Sequence, residues 1–288
     1  INIDHVYRLP ALPRAGETTS ATSHVPGLGG KGVNQSVAAL RAGAKVVHIG
    51  AVGQDDAWIE AQLTDHGIAM DHIARVAGGT GHAIVAVDDA GENQIIIFPG
   101  ANQKQETASI EAALAKAGPS DTLLLQNETS HQVEAAKAAR ARGMRVFYSA
   151  APFALEPLRA VLSHVTHLLV NAGEAEALVS ATEVALADQP VEAVVVTRGS
   201  QGAEWISAGT EPLFTPAFPV TPVDTTGAGD AFCGALADGL AASMSLVDAA
   251  SRAATAASMS TLLPGAQTSP TASALATRIG PPTEGPHA

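Results

Sequence analysis

Short apolar runs alternate with alanine-rich helical patterns through the middle of the chain. The predicted strands, each a brief run rich in valine, isoleucine or leucine, are residues 46–52, 122–126, 146–149, 167–170 and 191–197. The predicted helices among them are residues 56–66, 130–142 and 173–180. Strands that alternate with helices form a parallel sheet covered on both faces. The pattern therefore predicts an α/β fold, in which a mostly parallel central sheet lies between two helical layers and binds ligands at its carboxyl-terminal edge.

Two stretches, residues 8–23 and 81–100, lack helical periodicity. The second predicts a hairpin with strands at 82–87 and 94–98, and the later strand is apolar on both faces. Such a strand needs cover on both sides. We expect these stretches to form a small β lid within a single domain of residues 1–288, and we expect the lid to pair with a second subunit. An extra pair of strands on the main sheet is the alternative.

Composition and charge narrow the range of possible ligands. The net charge is −12 and no lysine or arginine cluster occurs, which argues against nucleic-acid binding. An acidic protein that binds a polyanion must draw positive potential from helix N-termini, backbone N–H groups or a metal ion. The single cysteine, Cys233, suits a reducing cytoplasm, and no apolar run approaches the roughly 18 residues of a membrane span. Residues 281–288 are expected to form a loose tail.

A glycine-rich turn before a helical pattern carries the strongest chemical signal. Gly227, Ala228 and Gly229 have little or no side chain, so a phosphate can approach their backbone. The N–H groups at the start of the following helix, together with its dipole, would attract that anion. Asp230 lies in the first turn, where it could take a proton from an attacking hydroxyl. The alternative is a glycine-rich loop whose aspartate only caps the helix.

A second glycine cluster, residues 27–36, opens another helical pattern. Its glycines match G-x-G-x-x-G, but residues 23–26 make a poor strand and a dinucleotide site needs a buried strand there. It is not a Walker loop either, because Gly32 stands where serine or threonine should hold the metal. Lys31 and Asn34 at a helix start suit a polyhydroxylated ligand.

The two motifs together resemble the signatures of the ribokinase/PfkB family of sugar kinases. The first signature corresponds to Gly29-Gly30-Lys31-Gly32-x-Asn34-Gln35, and the second to Asp224-Thr225-x-Gly227-Ala228-Gly229-Asp230. Matches extend from Asn2 to Ser269. The resemblance implies a kinase with a ribokinase-like fold, a β lid and ATP as phosphate donor.

The resemblance also implies roles for individual residues. Residues matching the family's sugar ligands are Asn2, Asp4, Gly30, Lys31, Asn34 and Glu128, with Asp230 as the base. Residues matching the nucleotide and Mg²⁺ side are Asn171, Glu174, Thr197, Gly199, Gly202 and Gly229. Residues matching a monovalent cation site, with K⁺ expected, are Asp224, Thr226, Ser260, Leu263, Gly265 and Ser269.

The expected reaction is transfer of the ATP γ-phosphate to a primary hydroxyl of a small sugar. Ribose, phosphorylated at its 5-hydroxyl, is the expected acceptor, but Gly27-Leu28 and Phe98-Pro99 differ from the commonest forms near the sugar pocket. Fructose, a nucleoside or a sugar phosphate are the alternatives within the family. A sugar- or nucleotide-binding regulator without catalysis is the alternative from another class, although its usual mark would be loss of the base or of the glycines.

Overall fold

The computed structural model describes residues 1–279 of the chain. The strands, in chain order, are β1 Asn2–Leu9, β2 Ser23–Gly29, β3 Gly50–Gly53, β4 Ile73–Val76, β5 Gly81–Asp88, β6 Asn93–Phe98, β7 Thr122–Gln126, β8 Arg145–Ser149, β9 His167–Asn171, β10 Ala193–Thr197, β11 Ala203–Ile206 and β12 Leu213–Thr215. The α-helices are α1 Lys31–Ala42, α2 Ala57–Asp65, α3 Thr107–Leu114, α4 Gln132–Ala141, α5 Leu155–Leu162, α6 Ala172–Thr182, α7 Ala228–Ala241, α8 Leu246–Ser260 and α9 Ala272–Ile279.

The largest sheet among the described strands has the order β12-β11-β10-β9-β8-β7. Strands β7 to β10 are parallel, β11 pairs antiparallel with β10, and β12 pairs antiparallel with β11. Alternate residues of its strands enter different cores. On β8, Val146 and Tyr148 pack with α3 to α6, whereas Phe147 packs with α7, α8 and α9. All three side chains are fully buried. The predicted three-layer α/β/α fold is therefore confirmed.

A separate small sheet has the order β2-β1-β5-β6 and forms the lid. Its hairpin, β5 and β6, agrees closely with the prediction. The first predicted lid stretch, residues 8–23, was misplaced, because it is mainly the connection between β1 and β2. Residues 23–26 belong to β2, contrary to the expectation that they make a poor strand. Pro26 is tolerated because β2 lies at the edge of the sheet, where a missing N–H costs no ladder bond.

The predicted strand at residues 46–52 is only half formed. Pairing begins at Gly50, opposite Ile73 of β4, and residues 44–49 belong to no ladder among the described strands. These residues and β7 line the same cavity of about 430 Å³. Apolar sequence alone does not make a strand, because extended residues also need a neighbouring strand to satisfy their backbone groups.

Three further predictions concern the single cysteine, the carboxyl-terminal tail and membrane-spanning segments. Cys233 is buried on α7, and burial followed by the nearby charge of Asp230 raises the pKa of its thiol. The predicted tail, residues 281–288, lies outside the described residues. Within residues 1–279, no helix is both long and apolar enough to span a bilayer.

Candidate active site

Helices α1 and α7 place the two glycine motifs side by side. A Cβ at Gly234 would lie 2.6 Å from Gln35 O and from Ala38 Cβ, so glycine allows these helices to approach closely. A glycine with positive φ stands directly before each helix, Gly30 at 93° before α1 and Gly227 at 74° before α7. The packing brings Asn34 and Gln35 against Asp230 in the first turn of α7.

The Asp230 carboxylate receives an amide donor on each oxygen. Asn34 Nδ2 donates to Oδ2 at 2.9 Å, and Gln35 Nε2 donates to Oδ1 at 2.9 Å. Burial raises the pKa of Asp230, while the Lys31 charge and the two amide hydrogen bonds oppose that rise. A half-buried carboxylate in the first turn of a helix, with a raised pKa, is a suitable proton acceptor.

The sequence-predicted sugar residues Lys31 and Glu128 lie close to this carboxylate, and their charges also act on Asp4. The Lys31 backbone N–H donates to Glu128 Oε2 at 3.2 Å. A Cβ at Gly29 would fall 2.1 Å from Asp4 Oδ2, so the glycine leaves room for the aspartate. Burial, followed by the Glu128 charge, raises the pKa of Asp4, and the Lys31 charge lowers it.

Asn2, another predicted sugar residue, is held in place by a buried asparagine. Its side chain is buried, and its Oδ1 accepts from Asn102 Nδ2 at 2.8 Å. Asn102 is itself buried, and the same Nδ2 also donates to the backbone of Ile1 at 3.0 Å. The strand β1 is thus anchored where it enters the site.

The turn before α7 differs in one respect from the expected anion hole. Gly227 adopts the left-handed region, and a Cβ there would lie 2.7 Å from Ala266 O, so another residue would be both strained and crowded. The Ala228 N–H already donates to Thr225 O at 3.2 Å. Within the described residues no acceptor is recorded for the N–H groups of Gly227 and Gly229. Two of the three predicted N–H groups are therefore open to an anion.

Asn171 and Glu174 form a capping box at the start of α6. Asn171 Oδ1 accepts from the Glu174 N–H at 2.9 Å, and Glu174 Oε2 accepts from the Asn171 N–H at 2.8 Å. The Glu174 carboxylate is thereby held at the carboxyl end of β9. Because β10 is parallel to β9, Thr197 and the turn with Gly199 lie at the same edge of the sheet.

Gly202 closes that turn for a steric reason. Its φ is 108°, and a Cβ would fall 2.1 Å from Thr215 O. The glycine thus lets β11 start against the end of β12.

The predicted cation residues converge on the loops beside α7 and α8. Asp224 Oδ1 accepts from the Thr226 N–H at 2.9 Å, and Oδ2 accepts from the Gly265 N–H at 2.9 Å. Burial alone would raise the pKa of Asp224, but hydrogen bonds from Thr226 and Gly265 outweigh it and lower that pKa. Leu263 is exposed in the same loop.

Ser260 and Ser269 lie deeper in that region. Ser260 is fully buried and its carbonyl accepts from Thr268 Oγ1 at 2.7 Å. The Ser269 hydroxyl is buried without a hydrogen-bond partner among the described residues, while its carbonyl accepts from Arg41 Nη1 at 2.9 Å. An orphaned buried hydroxyl is unusual and fits a cation ligand.

Amide side chains from three glutamines support the site, and the sequence motifs do not indicate this role for them. Gln126 Nε2 donates to Gln35 Oε1 at 2.7 Å, and Gln267 Nε2 donates to Leu28 O at 3.1 Å and also to Asn34 Oδ1. Gln35 stands inside the quoted first signature, but the other two occur in no motif. The position of Gln126 at the carboxyl end of β7 was the available signal.

Known proteins resemble this chain over most of its length. The family described as pfkB family carbohydrate kinase matches residues 1–272. A ribokinase from Bacillus subtilis is 36% identical over 276 residues, 92% of each chain. A deoxyribokinase from Salmonella typhi is 31% identical over 254 residues, 82% of this chain and 81% of that protein. The structure of Arabidopsis thaliana ribokinase complexed with ribose and ATP has a TM-score of 0.85 at 27% identity, covering 97% of this chain and 96% of that one. The predicted resemblance is confirmed, and the chain belongs to the pfkB family of carbohydrate kinases.

Proposed function

We propose that this carbohydrate kinase transfers the γ-phosphate of ATP to the 5-hydroxyl of ribose. The observation that carries the proposal is the Asp230 carboxylate, half-buried in the first turn of α7 and held by two amide donors, with Lys31 and Glu128 nearby. The relatives that act on ribose, by their names, support the choice of sugar.

In the proposed reaction Asp230 takes the proton of the sugar hydroxyl as that oxygen attacks phosphorus. The leaving group is ADP. The N–H groups of Gly227 and Gly229, with the positive end of the α7 dipole, stabilise the charge on the transferring group. Ala228 contributes only indirectly, because its N–H donates to Thr225 O and so holds the turn in place. Asn2, Asp4 and Glu128 orient the sugar, and Lys31 offsets part of their negative charge.

Two cations belong to the proposal. Glu174, with Asn171, fits Mg²⁺ held through water, since Mg²⁺ favours a few carboxylates, waters and phosphate oxygens. When bound, Mg²⁺ would neutralise charge on the phosphates. For a monovalent cation, with K⁺ proposed, Asp224 supplies a carboxylate of lowered pKa and Ser269 an orphaned hydroxyl. Thr226, Ser260, Leu263 and Gly265 would complete that set through their carbonyls.

The lid is proposed to close over the sugar and to pair with a second copy of the chain. A row of apolar side chains, Val25, Val6, Val85 and Ile95, crosses all four lid strands in register. This apolar row lies on the lid face that carries Asp4, because residues two apart on β1 share a face. Val25 is 62% exposed and Ile95 is 54% exposed, so the apolar row needs a partner surface.

Ile95→Glu tests the dimer, with Ile96→Glu as its matched control. Ile96 is 66% exposed on the opposite lid face, opposite Ile84. We expect Ile95→Glu to be monomeric in sedimentation at micromolar concentration, and Ile96→Glu to remain dimeric. If both variants sediment as the wild type does, the apolar row is not the interface.

A coupled assay of ADP formation over a panel of sugars tests the function. Ribose should give the highest kcat/KM, with deoxyribose, fructose and nucleosides as the competing acceptors. If a competing sugar gives a higher kcat/KM, the kinase assignment stands and the substrate assignment changes. If no sugar-dependent ADP forms, a regulator that only binds is favoured.

We further propose that the enzyme acts in the cytoplasm, where free ribose and ATP meet.

A further inference from the structure

Two amide chains hold the Asp230 carboxylate, and they differ in the glutamine that starts each chain: Gln267 is half-buried, whereas Gln126 is buried. One runs from Gln267 through Asn34 to Oδ2, and the other from Gln126 through Gln35 to Oδ1. Asn34 is already assigned to the sugar. Gln35 is 1% exposed and Gln126 is 9% exposed, so the second chain lies beneath the pocket.

The Gln126 side chain determines which end of the Gln35 amide faces the carboxylate. A glutamine amide has an accepting oxygen and a donating nitrogen, and only the nitrogen can stabilise Asp230. Gln126 Nε2 donates to Gln35 Oε1 at 2.7 Å, which turns Gln35 Nε2 toward Asp230 Oδ1 at 2.9 Å. Without that donor, the Gln35 amide could rotate and present its oxygen to the carboxylate.

We propose that Gln35, oriented by Gln126, is a positioning residue that keeps Asp230 ionised and correctly aimed for proton abstraction. The proposal rests on the proposed function and adds to it the means by which the base is prepared. Neither glutamine is expected to touch the sugar.

The physical need for this chain comes from the burial of Asp230. A carboxylate removed from water favours its neutral form, which cannot accept a proton from the sugar hydroxyl. Hydrogen bonds to an ionised group are about twice as strong as neutral ones, and an amide that accepts at its oxygen donates more strongly at its nitrogen. The two-glutamine chain therefore opposes the burial penalty with neutral side chains.

This arrangement also adds no positive charge at the base. A lysine or arginine in place of Gln35 would hold Asp230 ionised but would also weaken it as a base. Neutral donors lower the penalty more moderately, which leaves the carboxylate able to accept a proton near neutral pH. Lys31 remains the nearby cation.

Gln35→Met and Gln126→Met test the proposal, because methionine keeps the length and removes the amide. For Gln35→Met we expect kcat with ribose to fall roughly tenfold or more, as loss of a hydrogen bond to a charged group requires. KM for ribose should change less than about twofold, because ground-state sugar contacts remain. The acidic limb of the kcat profile should move to higher pH, because the ionised form has lost a donor.

Gln126→Met should lower kcat and move the acidic limb in the same directions but by smaller amounts. The Gln35 amide is still present in this variant and has only lost the donor that orients it. Gln189→Met is the matched control. Gln189 is also buried, at 6% exposure, but its Nε2 donates to Val184 O, and it precedes β10, whose amino end lies at the sheet edge opposite the site. This control should cost stability without moving the pH profile.

A second measurement does not depend on phosphate transfer. A carbon NMR titration of labelled aspartate carboxyls, with Asp230→Asn identifying the resonance, reports when Asp230 protonates. In Gln35→Met its midpoint should move up by about one pH unit or more. An unchanged midpoint in both glutamine variants would overturn the proposal. If the wild type phosphorylates no sugar, the proposed function falls, and the titration still decides the role of Gln35; if Gln35→Met does not fold, Gln126→Met decides it.

Discussion

The two ends of the site handle their carboxylates in opposite ways. At the sugar end, Asp230 and Asp4 are half-buried, and their partial removal from water is the main cause that raises the pKa of each. At the cation end, Asp224 is half-buried and its pKa is lowered by hydrogen bonds from Thr226 and Gly265. The first end uses side-chain amides as donors, whereas the second uses backbone N–H groups.

The difference follows from what each end has to do. A base must be able to gain a proton, so its carboxylate has to be close to neutralisation at working pH. A cation ligand must stay ionised, so its carboxylate benefits from several donors that favour the charged form. The same residue type therefore serves two purposes, and its surroundings decide which.

Removal of the base should have the largest effect. We expect Asp230→Asn to lower kcat by roughly 10²–10⁴, because the isosteric amide cannot accept the proton. The measurement is steady-state turnover with saturating ribose and ATP. Nucleotide affinity, measured by titration calorimetry, should stay close to that of the wild type. Retention of most of the turnover would mean that another residue is the base. The contrast between the two ends of the site would then not hold for Asp230.

Loss of the sugar-binding carboxylate should rank second. We expect Asp4→Ala to lower kcat/KM for ribose by more than about tenfold, because removal of a charged acceptor leaves sugar hydroxyls unpaired in a buried site. Slow ATP hydrolysis without sugar should survive, since the phosphate end is untouched. Equal loss of both activities would mean that Asp4 acts on the whole site and not on the sugar alone.

The position of Asp230 in the first turn of a helix could be predicted because the features that indicate it are local. Asp230 and its turn lie within ten residues of one another, so helix start, glycines and carboxylate could be read together. The convergence of Asn34 on Asp230 followed from the family resemblance. Gln126 could not be found in this way, because its contact with Gln35 depends on the packing of β7 against α1.

The errors in the fold have a similar cause. Residues 23–26 are expected to make a poor strand, yet they pair with β1 at the edge of the lid sheet, where proline is accepted. Residues 46–49 were judged a strand because of their apolar pattern, yet no neighbouring strand pairs with them in the described chain. In both cases the deciding factor was which strand lies alongside, and a local pattern does not contain it.

Replacement of the monovalent cation should have a smaller, several-fold effect. We expect activity to rise when K⁺ replaces a large organic cation at equal ionic strength, because a bound cation near Asp224 would fix the turn before α7. The wild type and Asp224→Asn should be assayed side by side, and the variant should lose the response. Equal rates in the two salts would remove the cation site from the proposal and leave Asp224 as a turn-forming residue only.

The smallest expected effect concerns stability, and it tests the comparison without any substrate. Asp4 has a raised pKa in the fold, so its ionisation destabilises the folded state as pH rises above the unfolded value of about 3.9. Asp224 has a lowered pKa, so its ionised form stabilises the fold above that value, and the stabilisation is lost as pH falls. We therefore expect opposite pH trends when each residue is replaced by asparagine.

Denaturant unfolding at several pH values from about 3.5 to 7 measures the difference in unfolding free energy between each variant and the wild type. Relative to the wild type, Asp4→Asn should become more stable as pH rises through this window. Asp224→Asn should become less stable over the same window, by no more than about 1 kcal/mol, since solvent screens a half-exposed carboxylate. Trends of the same sign for both variants would mean that the groups around the two carboxylates do not distinguish the two ends. Opposite trends would show that the sugar end gives up stability to keep a carboxylate in its pocket, whereas the cation end gains stability from its own.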